Sequence, residues 1–265
     1  MGEVRDISLV SMLAVFSLLV IPSCVFVVLR MRLLKELLVS AVRMVVQLSL
    51  MGLYLRVLFK YDHPVVNILW LFVMIIVATF QVLRSSHLSR RLFLPILASY
   101  TVTIYAVTLF FNAFVVNLKE IFSAKYLIVI GGMILGNSLR GVILSTTDFY
   151  RSVEREAERL RYRLVMFGNT FEAILPFLAQ SLELSLSPIV ATMATMGIVS
   201  IPGMMTGQIL GKADPIVAVK YQIAIIIAIF TAITMSVVLA IAASMRVAFD
   251  RWGNPRQARS EGKGP

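Results

Sequence analysis

The stretch Val65-Val-Asn-Ile-Leu-Trp-Leu-Phe-Val-Met-Ile-Ile-Val-Ala-Thr-Phe-Gln-Val-Leu83 contains no charged side chain. Coiled as an α-helix it is about 28 Å long, close to the thickness of a bilayer's hydrocarbon core. A run of this length and polarity is read as a membrane span. Six more follow the same pattern between charged breaks: Ile7 to Leu29, Leu37 to Phe59, Leu92 to Val116, Tyr126 to Leu144, Leu186 to Leu210 and Ile216 to Met245. The whole chain agrees. Of its 265 residues 59% are apolar and 15% charged, and a mean hydropathy of +0.88 leaves too little polar surface to coat a water-soluble core. The expected fold is an all-α polytopic membrane protein of seven transmembrane helices, organised as a single permease-like domain over 1–265.

The net charge of +11 would suggest nucleic acid in a soluble protein, but here it sorts by side. Most basic residues fall in alternate connections: Arg30, Arg32 and Lys35, then Arg84, Arg90 and Arg91, then the arginines between Arg140 and Arg163, then the chain after Met245. The positive-inside rule places those connections in the cytoplasm, with the N-terminus outside and the C-terminus inside. The first run is long for a signal-peptide core and follows Glu3, Arg5 and Asp6, so it is expected to stay in the mature chain. Cys24 is the one cysteine, which excludes a disulfide framework.

Between spans five and six lies a polar segment, about 146–185, expected to be a cytoplasmic elbow of two helices. Tyr150 to Phe167 reads as an Arg- and Glu-rich helix with Arg151, Arg155, Arg159 and Arg163 in i, i+4 steps beside Glu154 and Glu158. Gly168 stops it. Asn169, with Glu172 three residues on, reads as an N-cap and capping box opening a short second helix from Thr170 to about Glu183. A basic tail, 247–265, closes the chain.

Catalytic patterns such as HExxH or GxSxG do not occur, so an enzyme is not expected. Nor does a phosphate loop: ATP and Mg would have to be handled by a partner chain. The spans carry instead glycines at GxxxG spacing (Gly132 and Gly136; Gly203, Gly207 and Gly211), read as helix-packing positions. They also carry scattered polar groups. Arg43 with Gln47, Asn137 with Arg140, and Tyr221 with Gln222 are candidates for an interior pathway. Pro202-Gly203 is expected to interrupt the sixth span, and around it Met193, Met196, Ser200, Met204 and Gln208 line one face, with Met205 adjacent. Thioethers suit soft metals but also fill gaps in apolar packing, and no His, Cys or carboxylate cluster accompanies them, so a metal site stays open.

The string Ile201-Pro-Gly-Met-Met-Thr-Gly-Gln-Ile-Leu210, followed by Ala213-Asp-Pro215 and Lys220-Tyr-Gln-Ile223, resembles the signature of the FetB and aluminium-tolerance family of ABC transporter permeases. Gly132-Met-Ile-Leu-Gly-Asn-Ser138 and Arg43 with Gln47-Leu48 resemble two further motifs of that family. The resemblance implies a permease in the cell inner membrane, working as a homodimer with a separate ATP-binding subunit. It also implies export of a metal such as iron, or alternatively of a non-metal substrate such as a nucleotide-sugar. Leu164-Val-Met-Phe-Gly168-Asn169-Thr170-Phe171-Glu172-Ala173 stands where such permeases carry Leu-x-x-Gly-Ala-Thr-x-x-Gln-Ala, with a different leucine-to-glycine spacing. That match, with Arg159 and Arg163 beside it, marks the expected contact with the ATPase. A secondary transporter driven by an ion gradient is the competing class.

Overall fold

The computed structural model describes residues 8–248; the acidic start of the chain and the tail beyond Ala248 lie outside them. Among the described residues all regular elements are helical, and seven helical stretches are long and apolar enough to cross a membrane. Cα packing divides the chain into two compact units, 1–61 and 62–265.

The first unit holds α1 (Leu9–Ser17), α2 (Val20–Val28) and α3 (Leu33–Tyr61). Ser8 caps α1, its hydroxyl accepting the Ser11 N–H at 3.2 Å. The first apolar run is one candidate span but two helices, interrupted at Leu18 and Leu19. Pro22 explains the interruption: it has no N–H for the carbonyl of Leu18, and the bonds there tighten to the i, i+3 type. Leu29 and Arg30 then turn the chain into α3, with Arg30 in the left-handed region at φ 52°.

The second unit is a bundle of α4 (Pro64–Ser85), α5 (Phe93–Phe110), α6 (Ala124–Arg155), α7 (Ala157–Phe167), α8 (Thr170–Thr195), α9 (Gly203–Leu210) and α10 (Pro215–Ala248). A π-turn, Phe111–Val115, extends α5. Pro64 opens α4 at a position where its missing N–H costs nothing. Helix α6 is the centre of the unit, packed against α4, α5, α8 and α10. In lipid the tails are as apolar as leucine, so helices associate through close contact more than through exclusion of water. Small residues let them. A Cβ on Gly141 would stand 2.8 Å from Ile233 Cδ1, and one on Gly131 would stand 3.0 Å from the Leu71 methyls. Tyr150 reaches Ser244 on α10, and Ser145 donates to the carbonyl of Ser181 on α8 at 2.9 Å.

A polar clasp joins the starts of α4 and α6. The Asp62 carboxylate accepts from Asn67 Nδ2 at 2.9 Å, Ser123 Oγ at 2.9 Å and the Ala124 N–H at 2.6 Å. Its partial burial pushes the pKa up, but these hydrogen bonds and the nearby Lys125 charge outweigh it and hold the carboxyl below the usual aspartate value.

Two expectations about the elbow and the sixth span are corrected. The Arg- and Glu-rich run is not one helix from Tyr150 to Phe167: α6 continues from span five to Arg155, the chain bends at Glu156 (φ −107°, ψ 36°), and α7 begins. The bend turns Leu160 into the core, where it is fully buried. The predicted short helix from Thr170 is not short either. It runs unbroken to Thr195 and is itself the sixth span, in place of Leu186 to Leu210. Ser187 returns its hydroxyl to the Glu183 carbonyl at 2.6 Å and Thr192 to that of Pro188 at 2.7 Å, while Ser181 donates to the Asp148 carboxylate on α6 at 2.8 Å. Polarity that looked like a loop is therefore satisfied within the helix and by its neighbour.

Candidate functional site

Helix α8 ends where Met196 turns to extended backbone (ψ 136°) and Gly197 adopts φ +84°, a conformation glycine enters without steric cost. The Gly197 N–H bonds back to the carbonyl of Ser200 at 2.9 Å, and Pro202 then caps α9 from an extended conformation. Pro202-Gly203 therefore does not break a continuous span. It starts a short helix beyond the end of a complete one. The expected face of Met193, Met196, Ser200, Met204 and Gln208 does not exist as a helical stripe, because the turn from Met196 to Pro202 intervenes.

The turn nevertheless gathers several of those residues. Met193, Met196, Pro202 and Met205 line a cavity of about 460 Å3 together with Gln222 on α10. Gln222 is 7% exposed and its Oε1 has no hydrogen-bond partner. Ser200, Gly203, Met204 and Gln208 are not in its wall: Met204 packs against the core, and the Oε1 of Gln208 is buried without a partner elsewhere. Tyr221, half-buried, also packs against the core. Among the described residues no group of three His, Cys, Asp or Glu side chains is placed to hold a metal.

A second cavity, of about 430 Å3, lies between α6, α8 and α10, with Asn137, Arg140, Ser185 and Thr192 in its wall. Ile226 borders both cavities, which makes them neighbours along α10. Asn137 Nδ2 donates to the carbonyl of Met133 at 2.8 Å, one turn back on α6. Of the polar pairs read from the sequence, Asn137 with Arg140 and the Gln222 side chain thus come to adjoining cavities of the second unit. Arg43 and Gln47 lie on α3 in the first unit, both exposed. The packing glycines divide: Gly132 meets Met74 Cε at 2.9 Å, whereas Gly136, Gly203 and Gly207 would meet nothing within 4 Å, and Gly211 meets only carbonyls of its own turn. The glycines that admit a neighbour most closely in α6 include Gly131 and Gly141, which the GxxxG spacing does not single out.

The corner between α7 and α8 leads into the first turn of the candidate span Thr170–Thr195, and its geometry is set by Gly168, Asn169 and Arg163. Gly168 takes φ +61° and ends α7, and Asn169 Oδ1 accepts the Phe171 N–H at 2.9 Å to start α8. The reciprocal bond from Glu172 is not made among the described residues. Arg163 donates to the carbonyls of Ala173 at 3.0 Å and Glu172 at 3.2 Å. The Glu172 carbonyl is open to it because Pro176, one turn on, has no N–H to offer. Pro176 was the sequence signal for this tie between α7 and α8. Arg159 pairs with Glu156 at 2.8 Å and lies over the Phe177 ring at 5.6 Å. Hydrogen bonds from Arg159 and Arg155 hold the Glu156 carboxyl below the usual glutamate value. The arginines of the expected contact are thus occupied in holding the corner, and Ala173 is fully buried. What faces outward is apolar: Val165 is 86% exposed, and Met166, Phe167 and Phe171 are exposed beside it, around Thr170. The run Leu164-Val-Met-Phe167 at the end of a charged helix carried that signal.

This arrangement is that of a multi-pass helical membrane protein with polar cavities between its helices and an exposed corner that opens the sixth candidate span. Residues 9–249 match the model of the uncharacterised protein family UPF0014, and the chain belongs to that family. The UPF0014 membrane protein YjkA of Bacillus subtilis is 31% identical over 193 residues, which cover 72% of this chain and 76% of that protein. The protein ALUMINUM SENSITIVE 3 of Arabidopsis thaliana is 29% identical over 76% of this chain and 72% of its own length. The probable iron export permease protein FetB of Escherichia coli is 27% identical over 78% of each. No solved structure matches the chain.

Proposed function

We propose that the chain is the permease subunit of an ATP-driven exporter, with ATP and Mg bound by a separate ATP-binding subunit. The observation that carries this reading is the α7–α8 corner: an exposed apolar cap of Val165, Met166, Phe167 and Phe171, stiffened from behind by Arg159 and Arg163. A cap of that kind suits transmission of a push, because the bonds of Arg163 to Glu172 and Ala173 make α7 and the sixth span move together. The ATPase would dock on Gly168, Asn169, Thr170 and Phe171, on the cytoplasmic side that the positive-inside rule assigns. Two permease copies would face each other, with the open glycines Gly203 and Gly207 free for that contact. The cargo is a metal, iron by the name of the Escherichia coli relative. The setting is the cell inner membrane.

The test is reconstitution of the chain with its ATPase in vesicles, following iron on addition of ATP. Phe171→Glu in the cap is expected to abolish ATP-dependent movement while leaving the fold intact. Movement of iron by the chain alone, driven by an ion gradient, would overturn the reading in favour of a secondary transporter.

A further inference from the structure

Arg140 lies about 24 Å along α6 from Ala124, at 1.5 Å per residue, within a helix that crosses the membrane. It is exposed, it lines the cavity between α6, α8 and α10, and among the described residues no carboxylate pairs with it. The other polar side chains of the wall are already engaged with their own helices: Asn137 donates to Met133, Ser185 to Leu182 and Thr192 to Pro188. Beside the second N–H of the Asn137 amide, the cavity therefore presents one charged donor, a guanidinium with a permanent positive charge and a planar fork of N–H groups. Among the described residues no acidic side chain stands in the wall of this cavity or of its neighbour across Ile226.

A guanidinium without a counter-charge in a cavity wall is open to a visiting group of opposite sign. A bare metal dication would meet a like charge here with no carboxylate to offset it. An oxyanion would meet the fork that matches carboxylate and phosphate in a bidentate way. We infer that Arg140 is the recognition point for an anion bearing carboxylate or phosphate oxygens, so that the species carried through this cavity is negatively charged. A metal would pass as an anionic complex, held through its ligand shell. This rests on the transport reading above and assigns the substrate class of the same route.

The experiment is equilibrium binding to the full chain in nanodiscs of phosphatidylcholine, by titration calorimetry. The probes are citrate, inorganic pyrophosphate, iron(II) chloride, and citrate with iron. Wild-type chain is expected to bind citrate or pyrophosphate, and Arg140→Gln to weaken that binding at least tenfold, with Arg140→Lys retaining part of it. Gly136→Phe fills the cavity from a position with open space over its Cα and leaves the charge in place, and it is expected to weaken binding as well. Arg91→Gln, on the turn before α5, is expected to change nothing. Citrate with iron binding more tightly than citrate alone identifies a chelate, and the reverse identifies the free anion. The inference is overturned if wild type binds neither anion, if Arg140→Gln binds them equally, or if iron(II) chloride alone binds independently of Arg140. Loss of the signal on adding phosphatidylglycerol, in wild type only, would assign the site to a lipid headgroup and overturn it as a cargo site. Failure of the exporter reading looks different: anion binding through Arg140 persists, and the complex with the ATPase moves nothing.

Discussion

Glycines four residues apart occur on α6, at Gly132 and Gly136, and on α9, at Gly203 and Gly207 with Gly211 as its C-cap, and the two helices sit in different surroundings. Helix α6 runs through the middle of its bundle, with a side-chain atom within about 3 Å of where a Cβ would stand at Gly131, Gly132 and Gly141. Helix α9 has no buried residue, and the space over Gly203 and Gly207 is open. On α6 the filled positions are Gly131, Gly132 and Gly141, while Gly136, the other half of its pair, is as open as Gly203 and Gly207 on α9. Spacing tells only that a backbone is bare on one side, and a neighbour must be present for that to matter.

Substitutions separate the two cases. Gly141→Leu should have the largest effect, because Ile233 on α10 already stands 2.8 Å from the position of a Cβ. Overpacking of this kind costs about 1–3 kcal/mol, seen as a lower unfolding temperature in detergent. Gly203→Leu should leave that temperature unchanged, and an equal loss would break the comparison. If Gly203→Leu instead lowers the fraction of dimer on size-exclusion chromatography, the open face is a subunit contact.

The clasp that starts α6 supplies the next effect. Asp62→Ala leaves the Ala124 N–H and one of the two Asn67 amide N–H groups without an acceptor, the other keeping the Phe122 carbonyl, a loss of about 1–2 kcal/mol. Because the carboxyl is held below its ordinary value when folded, its contribution is fully present above the ordinary aspartate pKa. It is lost as pH falls through the lowered value. Unfolding temperatures measured from pH 7 down to pH 3 should fall more for wild type than for Asp62→Asn, which has no charge to lose.

At the exposed corner the effects are smaller and local. Gly168→Ala places a side chain at φ +61° and should cost about 1 kcal/mol. Proteolysis near the corner should rise before the unfolding temperature moves. Glu156→Gln removes a carboxylate that pairs with Arg155 and Arg159 in water, and no change in stability is expected. A large loss there would mean that the corner is packed as tightly as α6.

The spans were legible from apolar length because lipid imposes that length on every helix separately. The sixth was displaced for a physical reason: Glu172, Glu183 and a series of serines looked like surface, yet Ser185 and Ser187 bond within the helix, Ser181 bonds to Asp148 on α6, and the two carboxylates stay exposed. The corner glycine and the Asn169 cap were also legible, since both act on their immediate neighbours. The filling of Arg163's fork by Ala173 and Glu172 was not, because it depends on how α7 folds back on α8. The methionines near Pro202 were found as candidates, but the stripe drawn through them assumed a helix that Gly197 ends.

By itself, then, the sequence determined a helical membrane protein of seven spans, together with the local signals that start and stop several helices. Those properties depend on composition, on the 1.5 Å rise of a helix and on hydrogen bonds between residues close in the chain. Only the tertiary structure decided which glycines have neighbours, which arginines are engaged, and that Arg140 stands in a cavity without a counter-charge. Those are contacts between residues far apart in the chain, and no local pattern encodes whether the other partner arrives.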